Sequence, residues 1–129
     1  MKPERISEIN YRRRAINTME KVNEKDKQFR SGDWGPKYLI RGPLMEWGIL
    51  VLKANRSLGA HLHNETEETF YFLEGHPKII VDDAEYRVEA GDAFRIEPKE
   101  KHDIINDTDI LIKAIFMKCP YNPEDKVSC

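Results

Sequence analysis

The stretch His61-Leu62-His63-Asn64-Glu65-Thr66-Glu67-Glu68-Thr69-Phe70-Tyr71-Phe72-Leu73-Glu74-Gly75 sets two histidines one residue apart, follows them with carboxylates, and ends as an apolar run stopped by glycine. In an extended strand alternate side chains share a face, so His61 and His63 point the same way. Glu68 lies five residues beyond His63, an odd interval that would place it on the opposite face of a straight strand. The polar, turn-prone residues 64–67 can break the strand and reset that parity. Glu68 then shares a face with Phe70 and Phe72, two bulky apolar residues that must point into a core. A carboxylate there needs a counter-charge, because an unpaired buried carboxylate is costly. His102, 34 residues further on, can complete the set, since several short strands separate it from Glu68 and let the chain return alongside. Three imidazoles and one carboxylate in an apolar cup suit a divalent transition metal (Mn, Fe, Co, Ni or Zn) rather than a hard, oxygen-seeking ion such as calcium.

Outward from this stretch the same short-strand pattern continues. Residues 37–41 and 45–54 read as strands before it, and residues 69–73, 77–81, 85–88, 93–96, 102–105 and 110–118 as strands within and after it. They are punctuated by Gly42-Pro43, residues 55–59, Glu74-Gly75, Asp82-Asp83, Gly91-Asp92, Pro98 and Asn106-Asp107. Asp82-Asp83-Ala84 reads as a hairpin turn. With no long helix between the strands, the pattern predicts an all-β fold, a single small antiparallel barrel or jelly roll. The division expected is an N-terminal extension over residues 1–33, the barrel over 34–118, and a proline-rich C-terminal tail over 119–129 that crosses the surface as loop through Lys126. Within the extension, Ala15, Ile16, Met19 and Val22 predict a short amphipathic helix around residues 14–28, and Arg12-Arg13-Arg14 reads as a solvated or salt-paired face.

At 129 residues the chain forms one domain. Its 21 basic and 23 acidic residues nearly balance, which argues against a nucleic-acid partner. No apolar run approaches the roughly 18 residues of a membrane span, and the first residues lack the apolar core of a secretory signal. Cys119 and Cys129 lack metal-site spacing and read as reduced thiols of a cytoplasmic protein. His76 follows Gly75 in a turn and reads as exposed, while Glu65 and Glu67 read as solvated at the mouth of the barrel.

The two motifs resemble those of the cupin superfamily, small metal-binding β-barrels of the monocupin type. His61, His63, Glu68 and Gly75 stand at the spacing of the first cupin motif, with Asn55 in place of its leading glycine. Gly91, His102 and Asn106 fit the second motif, where Glu97 takes the proline position and Lys99 the second glycine. By that resemblance His61, His63, Glu68 and His102 are the metal ligands, and the protein is a homodimer. The resemblance also implies either a metal-dependent enzyme acting on a small polar metabolite, such as a sugar derivative or carboxylic acid, by isomerase, decarboxylase or dioxygenase chemistry, or a non-catalytic module that binds or senses a small ligand. Arg95, Lys53 and Arg41 are candidates for orienting a substrate, and Tyr71, Glu97 and Tyr38 for moving a proton. Each reads more readily as an outward, solvated strand residue.

Overall fold

A computed structural model describes residues 19–129 of the chain. Ten strands form two five-stranded sheets in which every pairing is antiparallel. In chain order they are β1 (Gly35–Arg41), β2 (Glu46–Leu52), β3 (His61–His63), β4 (Glu67–Glu74), β5 (Lys78–Val81), β6 (Ala84–Arg87), β7 (Ala93–Ile96), β8 (His102–Ile105), β9 (Ile112–Cys119) and β10 (Lys126–Ser128). One sheet runs β1-β2-β9-β4-β7 and the other β10-β3-β8-β5-β6. The expected all-β jelly roll is therefore the fold of the described chain.

The core lies between the sheets. Leu50, Leu52, Phe70, Phe72, Ile79, Ile96, Ile104, Ile112, Ala114 and Phe116 are buried there. Strand register explains which side chains arrive. Glu68 pairs with Ile96 and Lys118, and Phe70 with Phe94 and Phe116, so all of these share the inner face. Full burial of a phenylalanine such as Phe72 contributes roughly 1.5–3 kcal/mol. The hairpin expected at Asp82-Asp83 joins β5 to β6, with both aspartates at positive φ (47° and 72°), as a mirror-image two-residue turn requires.

The break foreseen at residues 64–67 is a corner between sheets: β3 belongs to one and β4 to the other. That is how an odd interval brings Glu68 back to the histidines. Of the three motif departures, the two that replace glycines keep the backbone geometry of a glycine. Asn55 (φ 63°) and Lys99 (φ 72°) adopt the left-handed backbone, which asparagine tolerates more readily than lysine. Lys99 also donates its N–H to the His63 carbonyl, tying the turn before β8 to β3.

Two expectations need correction. Within the span expected to be helical, residues 19–28 hold only a single 3-10 turn, Glu24–Asp26, capped by the Asn23 side chain. Residues 14–18 and Arg12-Arg13-Arg14 lie outside the described residues. Within residues 19–28 the helix fails because apolar content is thin: Met19 is exposed, and Val22 with Phe29 suffices to dock the segment against Leu39, Ile49 and Val51 on the outer face of the first sheet. The tail is loop from residue 120 to 125, but Lys126–Ser128 then forms β10, which pairs along β3. Pro120 and Pro123 bar a ladder only where they stand.

Candidate metal centre

β3, β4 and β8 deliver the four candidate ligands. His61 and His63 are the inward residues of β3, His102 opens β8 directly opposite His61, and Glu68 is the second residue of β4. All four are buried, and one ligand atom from each lies within 4.8 Å of all the others. Nε2 of His63 and of His102 each stand 3.2 Å from Glu68 Oε1, and His61 Nε2 stands 3.8 Å from it.

The far sides of two rings are committed. His61 Nδ1 lies 2.8 Å from the Gly59 carbonyl and His102 Nδ1 lies 3.0 Å from the Glu100 carbonyl. A carbonyl only accepts, so each neutral ring carries its proton on Nδ1 and turns an Nε2 lone pair toward the centre. Two such lone pairs facing a carboxylate repel unless a proton or metal cation stands between them. This donor set, with its outer nitrogens fixed by backbone, fits a divalent transition metal. Burial pushes the Glu68 carboxyl up, but a proton held between it and Nε2 of His102, His61 and His63, together with the charge of Lys118, outweighs this, and the group sits well below the usual carboxylate range.

The corner that aims these side chains is held by Asp125. Its carboxylate accepts the backbone N–H groups of Asn64 (3.1 Å), Glu65 (2.7 Å) and Thr66 (3.0 Å). Burial pushes this carboxyl up, yet the three backbone donors hold it below the ordinary aspartate range. Its contribution to stability is therefore complete above about pH 3.9 and drains away as pH falls through the depressed folded value. Asp125→Asn is expected to lower stability at pH 7 by about 1–3 kcal/mol. In urea titrations the gap from the parent protein should narrow below pH 4. A gap that persists unchanged at pH 2.5 would show that shape, not charge, matters at this position. Asn106, fully buried, similarly braces the end of β8, donating to the Leu52 and Ile110 carbonyls and accepting from Thr108.

Among the other candidates, Arg95 and Tyr71 lie on the outer face of the first sheet by strand register, Arg95 opposite Thr69 and Tyr71 opposite Ala93. Arg95 is paired with Glu97, both exposed, at 3.0 Å. Lys53 is paired with Asp33 and Arg41 with the buried Glu46. His76 and Glu65 are exposed and Glu67 is half-buried. None of these joins the four-residue group.

Tyr38 does approach it. A narrow pocket, about 20 Å³ inside a wider open mouth, is lined by His61, Glu68, Phe70, Phe116, Leu50 and Leu58, and also by Arg30, Tyr38, Lys118 and Lys126. The Tyr38 hydroxyl accepts from Lys118 Nζ at 3.0 Å and from Arg30 Nη2 at 3.5 Å. Gly48, opposite Tyr38 across β2, leaves no side chain in the way, and the Tyr38 ring stands edge-on to Phe116 at 5.2 Å. Burial, followed by the charges of Arg30 and Lys118, lowers the Lys126 ammonium. Arg30, Lys118 and Lys126 were not singled out in the sequence. For Lys118 the signal was present, because it lies two residues beyond Phe116 and so on the same inward face.

The fold recurs in solved structures. A double-stranded β-helix protein from Klebsiella pneumoniae superposes with a TM-score of 0.74 at 13% identity, over 86% of this chain and 98% of that one. The polyketide cyclase RemF from Streptomyces resistomycificus gives 0.72 at 19% identity, over 86% and 85%. Streptomyces PAC13, determined with uridine, gives 0.70 at 13% identity, over 87% and 91%. In sequence, an uncharacterised protein of Methanocaldococcus jannaschii is 35% identical over 66 residues. That alignment takes in 50% of this chain and 53% of the relative, so the chain spans about half the length of the curated relative it matches. A sequence model of the cupin domain matches residues 48–117, over half the chain and all the strands that carry the four converging residues, and the chain belongs to the cupin family.

Proposed function

We propose that the protein is a metal-dependent enzyme acting on a small polar metabolite, with His61, His63, Glu68 and His102 holding a divalent transition metal. The observation that carries this reading is the buried group of three imidazoles and a carboxylate opening into a pocket with a charged, polar rim. Bound there, such an ion supplies Lewis acidity toward a carbonyl, or redox chemistry if it is iron or manganese. The chain's own residues do the rest. Phe70, Phe116 and Leu50 exclude water from one side of the pocket, which strengthens every electrostatic interaction within it. The Tyr38 hydroxyl, held by Lys118 and Arg30, is the group placed to carry a proton to or from a ligand.

A charged rim with a hydroxyl in place favours turnover over storage, since a pure binding module needs no proton carrier. The test is to load the protein separately with manganese, iron, cobalt, nickel and zinc and follow a panel of small carboxylates and sugar derivatives by NMR. Conversion that stops on chelation and resumes on metal return is the expected result. Retention of a ligand without conversion would instead make the protein a binding module.

The homodimer also belongs to this reading. The outer face of the first sheet carries an apolar strip of Met45, Trp47, Tyr71, Ile115 and Met117, and a second copy is its expected cover. Sedimentation equilibrium should then give twice the chain mass of 15.1 kDa.

A further inference from the structure

We propose that Arg30, Tyr38, Lys118 and Lys126 form an oxyanion subsite at the mouth of the metal centre, so that the ligand is a small carboxylate or phosphate. This deepens the reading above and rests on it. Arg30 arrives from the segment before β1, Tyr38 from β1, Lys118 from the end of β9 and Lys126 from the start of β10. Four separate pieces of chain thus bring three cations and one hydroxyl to the rim of a single pocket.

Their partners decide the argument. Several cations elsewhere sit on carboxylates, Arg41 on Glu46, Lys53 on Asp33, Arg87 on Asp107 and Arg95 on Glu97, while Lys37 and Arg56, which do not, stand apart over the rings of Phe29 and Trp34. Among the described residues, Arg30, Lys118 and Lys126 have no carboxylate within ion-pair distance. Lys118 lies in register with two buried acids, Glu46 and Glu68, yet neither is its partner. Glu46 is met by Arg41 Nε at 2.7 Å, and Glu68 by the histidines. Lys118 Nζ turns instead to the Tyr38 hydroxyl and lies over the Tyr38 and Phe116 rings, at 5.2 and 5.7 Å from their centroids. Ring faces and a hydroxyl hold the stem of the ammonium without neutralising it.

Like charges gathered at one rim repel, and a bound anion relieves that repulsion. The metal increases the demand. A dication held by three neutral rings and one carboxylate keeps one positive charge, which adds to the three at the rim. An oxyanion small enough for the pocket can place one oxygen toward the centre and another on Lys118 and Tyr38. Arg30 and Lys126, both exposed, then draw it in from solution.

The test is calorimetry on manganese-loaded protein with three probes of similar size: oxalate, inorganic phosphate and the neutral oxamide. Metal content is measured by elemental analysis on every sample. Oxalate or phosphate should bind at least tenfold more tightly than oxamide, and the tighter of the two identifies the carboxylate or the phosphate as the natural group. Lys118→Met keeps the stem against Tyr38 and Phe116, and Lys126→Ala changes an exposed residue. Each should weaken anion binding about tenfold with metal content unchanged, while Lys118→Arg restores most of it. Equal affinity for oxamide and the anions, or anion affinity unmoved in both Lys118→Met and Lys126→Ala at full metal content, would overturn the subsite. Protein that takes up no metal contradicts the metal reading itself. The subsite is then judged on metal-free protein, where phosphate binding lost in Lys118→Met supports it and phosphate binding absent or unchanged overturns it.

Discussion

Changing His61 and His102 together to alanine should weaken metal binding by well over a hundredfold while leaving the two sheets folded. The magnitude follows from removing half the donor set, since disturbing only the groups behind metal ligands already costs ten- to a hundredfold. The folding half of the expectation comes from where the apolar residues lie. Phe72, Ile79, Ile104 and Ile112 are fully buried between the sheets, and the paired register of β2, β9 and β4 does not pass through either histidine. Each histidine donates one hydrogen bond to a backbone carbonyl, that of Gly59 or Glu100, worth about 1 kcal/mol when lost with its partner left near solvent. Circular dichroism and thermal melts of the variant, with elemental analysis beside them, separate the two effects. A variant that keeps its metal would remove these residues from the ligand set. One that fails to fold would show that the histidines and their ion, not the apolar strands, hold the protein together.

The second large effect is expected at Gly75, where β4 ends. Its backbone sits at φ 89°, which side chains rarely adopt, and a Cβ there would collide with Ile112 Cδ1 and approach the Leu111 carbonyl oxygen to 2.9 Å. Gly75→Ala therefore combines backbone strain with forced movement of a fully buried isoleucine and should cost about 2–4 kcal/mol. For a domain of this size that is a fall in Tm of roughly 10 °C. Gly91 provides the control. It has a similar φ of 97° but open space around its Cβ, so Gly91→Ala should cost only the backbone part, about 1 kcal/mol. Equal losses in the two variants would mean that the contact with Ile112 is absorbed without strain.

Much of this site was readable from residue spacing, because a strand's period of two is strict. The alternation at His61 and His63, and at Glu68, Phe70 and Phe72, leaves little choice of face. The same rule places Tyr71 outward, three residues from Glu68, and Lys118 inward, two residues from Phe116. What spacing does not carry is the pairing of distant strands. Tyr38 enters the pocket only because β1 aligns it with Gly48, and Lys126 only because three residues after a proline-rich loop find the free edge of β3. Arg95 could not be placed until the register of β7 against β4 set it opposite Thr69. The helix expected over residues 14–28 rested on apolar spacing without enough apolar surface to bury, and residues 19–28 settle for one 3-10 turn. At Asn55 and Lys99 the left-handed backbone survives without glycine, so the motif's geometry outlasts its residue types.

Anomalous diffraction from crystals of the metal-loaded protein tests the whole account most directly. One peak per chain should fall about 2.0–2.3 Å from Nε2 of His61, His63 and His102 and from a carboxylate oxygen of Glu68. A peak elsewhere, or none at full loading, would contradict it.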